Sequence, residues 1–82
     1  MEKSQFTTLF YREIKMRDLR LHAMVIDDGV SIVEFQPQLV LEVRHGYDWH
    51  RKVMGAKIHL LREAALAVSG VETPVVIKPQ PE

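Results

Sequence analysis

The sequence predicts an α+β domain: a small antiparallel β-meander over about residues 11–45, packed by one long helix over about residues 48–69, with room for a short C-terminal strand at 74–78. Three observations carry this. Asp27-Asp28-Gly29 lies between two apolar runs and reads as a hairpin turn at 27–29. Pro37, in Gln36-Pro37-Gln38, cannot donate to a β-ladder and marks a second turn. Residues 47–68 repeat apolar side chains at helical spacing, and Gly70 stands where such a helix would stop.

Ile14, Met16, Leu19 and Leu21 alternate with charged side chains, with one slip at Arg17-Asp18. That fits a bent strand with a bulge. The region also suits a helix, because Phe6, Leu9, Phe10 and Ile14 share one side at helical spacing. Extended structure is the reading for 11–26, while residues 5–16 stay open between helix and strand. A loop at 27–29, with Gly29 left-handed, sets Ile26 opposite Val30 and Ala23 opposite Val33. A loop at 36–38 sets Phe35 opposite Leu39 and Val33 opposite Leu41. The two registers agree. Because side chains alternate faces, Leu21, Ala23, Val25, Val33, Phe35, Leu39, Leu41 and Val43 form the expected core face. The other face mixes Met24, Ile26, Val30, Ile32 and Val40 with His22, Glu34, Glu42 and Arg44. It is more apolar than a solvated face requires.

The helix takes Asp48 as its expected N-cap. Trp49, Val53, Ala56, Leu60, Ala64 and Ala67 form one apolar stripe. Tyr47, Met54, Ile58, Leu61, Ala65 and Val68 form a second, about 130° away, so the apolar arc spans roughly 200° where about 100° is enough to lie on a sheet. The extra stripe needs a cover. Either residues 6–10 and 75–77 of the same chain supply it, or a second copy or another protein does. The candidate interface comprises Tyr47, Trp49, Met54, Ile58 and Leu61 on the helix, with Met24, Ile26 and Ile32 on the sheet. Large aromatic and Met side chains are enriched at protein interfaces. Size also favours association. The 82 residues make a single domain with a short polar tail at 79–82. A domain this small buries only about 60–65% of the surface its unfolded chain exposes. With no cysteine, no disulfide can staple it.

The net charge is zero but unevenly spread. Residues 27–43 carry four acids and no base, whereas residues 44–63 carry five bases against two acids. Arg44, Arg51, Lys52, His59 and Arg62 therefore form an alternative, nucleic-acid-binding reading, in which basic side chains meet phosphates. With residues 6–16 helical, the order becomes helix, three strands, helix. That order resembles a double-stranded RNA-binding domain, whose last helix presents bases at its N-terminal end. Only Arg51-Lys52 and Lys57 stand in place of the closely spaced lysines of such domains. A strong basic excess, the usual footprint of a nucleic-acid binder, is missing.

No catalytic constellation emerges. His50 and His59 lie nine positions apart on nearly opposite helix sides, and His45 with Asp48 makes only two ligands, so no metal site is expected. His22 is expected to pair with Glu34 across the hairpin. Ser4, Ser31 and Ser69 lack nucleophile-elbow context. The glycines at 29, 46, 55 and 70 are too dispersed for a phosphate loop. No cofactor is implied, and an enzyme without a visible motif is the least favoured class. The expectation is a small, self-associating protein-interaction module, of adapter, regulator or inhibitor type. Its size and type match the short accessory proteins of phages and mobile elements. The absence of a signal-like stretch and of cysteines suggests the cytoplasm, and no run of about 18 apolar residues would span a membrane.

Overall fold

The computed structural model describes residues 1–27 and 29–81. Its elements are α1 (Lys3–Arg17), α2 (Leu19–Val25), β1 (Val30–Glu34), β2 (Leu39–Val43), α3 (Tyr47–Ala56), α4 (Ile58–Ser69) and β3 (Val75–Pro79). The architecture is α+β, with helices packed on one face of a mixed sheet. The strand order is β1-β2-β3, with β1 antiparallel and β3 parallel to the central β2. No helix among the described residues is long and apolar enough to cross a membrane.

The first strand of the expected meander is instead two helices. Phe6, Phe10 and Ile14 are buried at fourfold spacing, which is one stripe of a helix. Met16 and Leu19, which the alternating reading needed inside, are 73% and 68% exposed. Leu21 and Val25 resume the buried stripe on α2. The slip at Arg17-Asp18 is a helix boundary, not a bulge. Asp18 adopts extended backbone and its side chain accepts from the Leu21 amide at 2.9 Å, capping α2. His22 is thereby on a helix and does not pair with Glu34 across a hairpin. The order of elements also departs from that of a double-stranded RNA-binding domain.

The 27–29 turn joins α2 to β1 rather than two strands. Asp27 Oδ1 accepts from the Gly29 amide at 2.8 Å, and the Asp27 carbonyl accepts from Val30 at 3.0 Å. The expected left-handed Gly29 depends on the backbone of Asp28, which lies outside the described residues.

The hairpin of the fold is β1–β2, turning at Gln36-Pro37, which is a cis peptide. Next to this turn the expected register holds, with Glu34 opposite Val40. One residue further a bulge intervenes, and Ile32, not Val33, faces Leu41. A one-residue slip exchanges the faces. Val30 and Ile32 therefore join Leu39, Leu41 and Val43 in the core, and Val33 turns outward. β3 then extends the sheet, Leu39 opposite Val75 and Leu41 opposite Ile77. The pairing runs into the expected tail, where the Gln80 amide donates to the Val43 carbonyl at 2.9 Å.

The long helix is broken at Lys57. Its amide donates to the Met54 carbonyl at 3.1 Å and its own carbonyl accepts from Leu60 at 3.0 Å, so the chain tightens there into a separate turn. Gly55, a poor helix former, stands two residues before. Gly46 in the left-handed region, φ 66°, precedes α3 in place of the expected Asp48 cap, and Gly70, φ 75°, ends α4 as expected. The Tyr47 hydroxyl donates to the Ile77 carbonyl at 3.3 Å, tying α3 to β3.

The core lies between helices and sheet. α1 rests along α4, with Arg17 Nε 3.8 Å from Glu63 Oε2. Phe6 stacks on Phe10 at 5.4 Å and on Phe35 at 4.8 Å between ring centroids, so the hairpin turn is stitched to α1. Leu61, Ala64 and Ala65 of α4 and Met54 of α3 close the same cluster.

Candidate functional site

The structure decides which apolar residues face outward. Met54 and Leu61 are completely buried, and Ile32 is in the core. They are covered by the chain itself and cannot serve a partner, which corrects their place in the expected interface. For Leu61 the physical reason is α1: once residues 3–17 are helical, their Phe6, Phe10 and Ile14 stripe packs along α4, while Ile32 turned inward with the register slip in β1. Tyr47 and Ile58 are half-buried, Tyr47 with its hydroxyl engaged. Trp49 and Ile26 remain outside, Trp49 at 59% exposure, and Met24 is half-buried.

The structure brings Trp49 and Met24 together in a groove of about 500 Å³ between α2 and α3. Leu21, Ala23 and Met24 form one wall, and Trp49, His50 and Val53 the other. The two helices run antiparallel. At one end Asp18, which opens α2, meets Lys57, which closes α3, and at the other Gly29 lies against the His45 ring just before α3. Arg20 and Lys57 stand at the first end of the groove and Asp27 at the second.

Each polar group here has a local cause. The Lys57 ammonium donates to Asp18 Oδ2, and the Leu21 amide donates to its other oxygen. The Lys57 contact first, then that N–H, hold the Asp18 carboxyl below the usual carboxylate range. The pair joins the two helix breaks, Asp18 between α1 and α2 and Lys57 between α3 and α4. His50 is only 7% exposed. Its Nδ1 lies 2.8 Å from the Gly46 carbonyl, which can only accept, so Nδ1 donates there and a singly protonated ring leaves Nε2 to accept. Nε2 has no protein partner among the described residues, yet no described side-chain polar atom is sealed from solvent without one, so Nε2 keeps access to solvent. His50 itself lines the groove. The Trp49 ring meets the His50 ring edge-on at 5.0 Å.

The basic residues of the alternative reading sit on several elements. Arg44, Arg51 and Lys52 are exposed near the start of α3 and along it, and His59 is exposed on α4. Arg62 lines a separate recess with Glu63 and Glu72, which offset its charge. Among the described residues no three His, Asp or Glu side chains gather where they could hold a metal ion.

Arg20, Ala23, Asp27, His50, Val53 and Lys57 belong to the groove without having been singled out from the sequence as its lining. The signal that could have found it is Asp18, three residues before Leu21 and therefore placed to cap a helix. Reading it so would have made α2 a helix and set it beside α3. What the groove offers chemically is apolar contact, the His50 ring in one wall and opposite charges at its two ends. It holds no activated nucleophile. No protein-family model, curated protein or solved structure matches this chain.

Proposed function

We propose that this chain is a small non-enzymatic protein-interaction module, of adapter, regulator or inhibitor type, and that it meets its partner at the α2–α3 groove. The observation that carries the reading is Trp49. A large aromatic left 59% exposed beside an apolar cleft is costly to leave in water and is the residue type most enriched where protein interfaces concentrate their energy. Met24 and Val53, half-buried beside it, supply a surface that a protein side chain can fill. This site replaces the second helix stripe as the place of association.

A photo-crosslinking side chain at position 23, exposed on the groove wall, tests the proposal in the native cell. A defined protein adduct that Trp49→Ala abolishes, with the fold intact by circular dichroism, supports it. An adduct of unchanged yield in Trp49→Ala, or none, counts against it. Light scattering on the purified chain then tells whether the partner is a second copy.

A nucleic-acid reading draws on the exposure of Arg51 and Lys52 on the same helix as Trp49, since base stacking on an aromatic beside cations is how single strands are held. Binding of mixed-sequence oligonucleotides that weakens steeply with salt would favour it. No binding at low salt removes it.

A further inference from the structure

The groove has a direction, and its direction specifies an occupant. Resting on the interaction reading above, we propose that it takes an extended segment of a partner protein that places an acidic side chain at the Arg20 end and an apolar side chain on Trp49.

Charge comes first. Arg20 and Lys57 stand together at one end. Lys57 is engaged by Asp18, whereas Arg20 is exposed and forms no ion pair among the described residues. That end therefore carries a surplus positive charge. The opposite end carries Asp27, so a segment lying in the groove with its acid there would be repelled. The orientation of the segment follows from this polarity.

Distance comes next. Arg20 and Asp27 are seven residues apart on or just past α2, which at 1.5 Å per residue is about 10 Å. An extended chain covers that in about three residues. The acid and the apolar residue are therefore close neighbours in the partner's sequence.

The backbone state follows from His50. The His50 side chain lines the groove and is nine-tenths buried, and with its Nδ1 donating to the Gly46 carbonyl the singly protonated ring leaves Nε2, which has no partner among the described residues, to accept. Nε2 calls for an N–H donor. The interior of a helix has already used its N–H groups, while an extended segment has free ones to offer. Segments recognised in extended form combine such backbone contacts with pockets for their side chains.

The test uses the whole chain and the fluorescence of Trp49, its one tryptophan. Three acetylated, amidated ten-residue peptides share one leucine and a serine-glycine frame. They differ only three residues before the leucine, which is preceded there by glutamate, glutamine or lysine. Titration at low salt should shift the Trp49 emission, with the glutamate peptide binding about two- to fivefold more tightly than the glutamine one, as an exposed ion pair allows, and the lysine peptide weakest. Arg20→Gln, a change at an exposed position, should bring glutamate and glutamine peptides to equal affinity. Equal binding of all three to the unmodified chain, or a preference that survives Arg20→Gln, overturns the acidic partner while leaving groove binding in place. No emission shift with any peptide overturns the extended occupant. The crosslinking outcome at position 23 is read independently of either result.

Discussion

Leu61 and Trp49 face opposite fates under the same substitution. Leu61 is 0% exposed and packed in the cluster closed by α1, whereas Trp49 is 59% exposed. Truncating a fully buried leucine to alanine costs about 2–5 kcal/mol, through lost transfer energy and the cavity left behind. A chain of 82 residues has a total stability of roughly 4–12 kcal/mol. Leu61→Ala should therefore remove at least about a sixth of it. With a urea slope of about 1–1.5 kcal/mol per M, the unfolding midpoint falls by about 1–5 M. Leu61→Glu should fail to fold, because a carboxylate would be buried with nothing to pair it. Trp49→Glu should fold with a midpoint within about 0.5 M of the parent, as a surface change away from packed features does. Urea melts followed by far-ultraviolet circular dichroism measure all three. A folded Leu61→Glu chain, or a Leu61→Ala cost below about 1 kcal/mol, would show that α1 does not seal this stripe.

Acidification should weaken the fold through Asp18. Its folded-state carboxyl is held below the usual range, so its contribution is present above the ordinary aspartate value and is lost as pH falls through the depressed one. Urea midpoints between pH 7 and 2 should therefore fall more in the parent than in Asp18→Asn, and superimposable profiles would contradict the Lys57 pairing. Gly29→Ala would place its Cβ 3.0 Å from His45 Cε1. It should destabilise by about 1–2 kcal/mol, and His45→Ala should recover part of the loss in a double-mutant cycle. The two helix glycines should respond with opposite signs. Gly55 has nothing within 4 Å of an added Cβ, so Gly55→Ala should stabilise by about 0.5–1 kcal/mol. Gly70 sits at φ 75°, so Gly70→Ala should destabilise by about 1–2 kcal/mol, both read by thermal or urea melts.

The features legible in the sequence were those set by local chemistry. Pro37 marked the hairpin turn and fixed the register beside it, Gly70 marked the end of α4, and 74–78 fell close to β3. What escaped was decided by tertiary context. In residues 11–26 the alternation of Ile14, Met16, Leu19 and Leu21 competed with the fourfold spacing of Phe6, Phe10 and Ile14, and burial of the phenylalanines decided for the helix. The bulge beside Glu34 reversed the facing of Val33 and Ile32 with no Gly or Pro to announce it. Lys57, at the break, is tied to Asp18, 39 positions earlier, a pairing no local window contains. Two apolar stripes did signal unusual coverage. Along α4 the cover proved to be α1, and the large side chain left outside was Trp49.

The parallel strand β3 shields a hazard. β2 is the most apolar strand, and its residues 40–43 pair with β1 on one side only until residues 75–79 arrive. A chain cut short before Val75 would convert its greasiest strand into a bare border, open to pairing with any neighbouring copy. Tyr47 would lose its acceptor at Ile77 as well. Five residues near the C-terminus thus guard the molecule against clumping, and shortened forms should precipitate before they unfold.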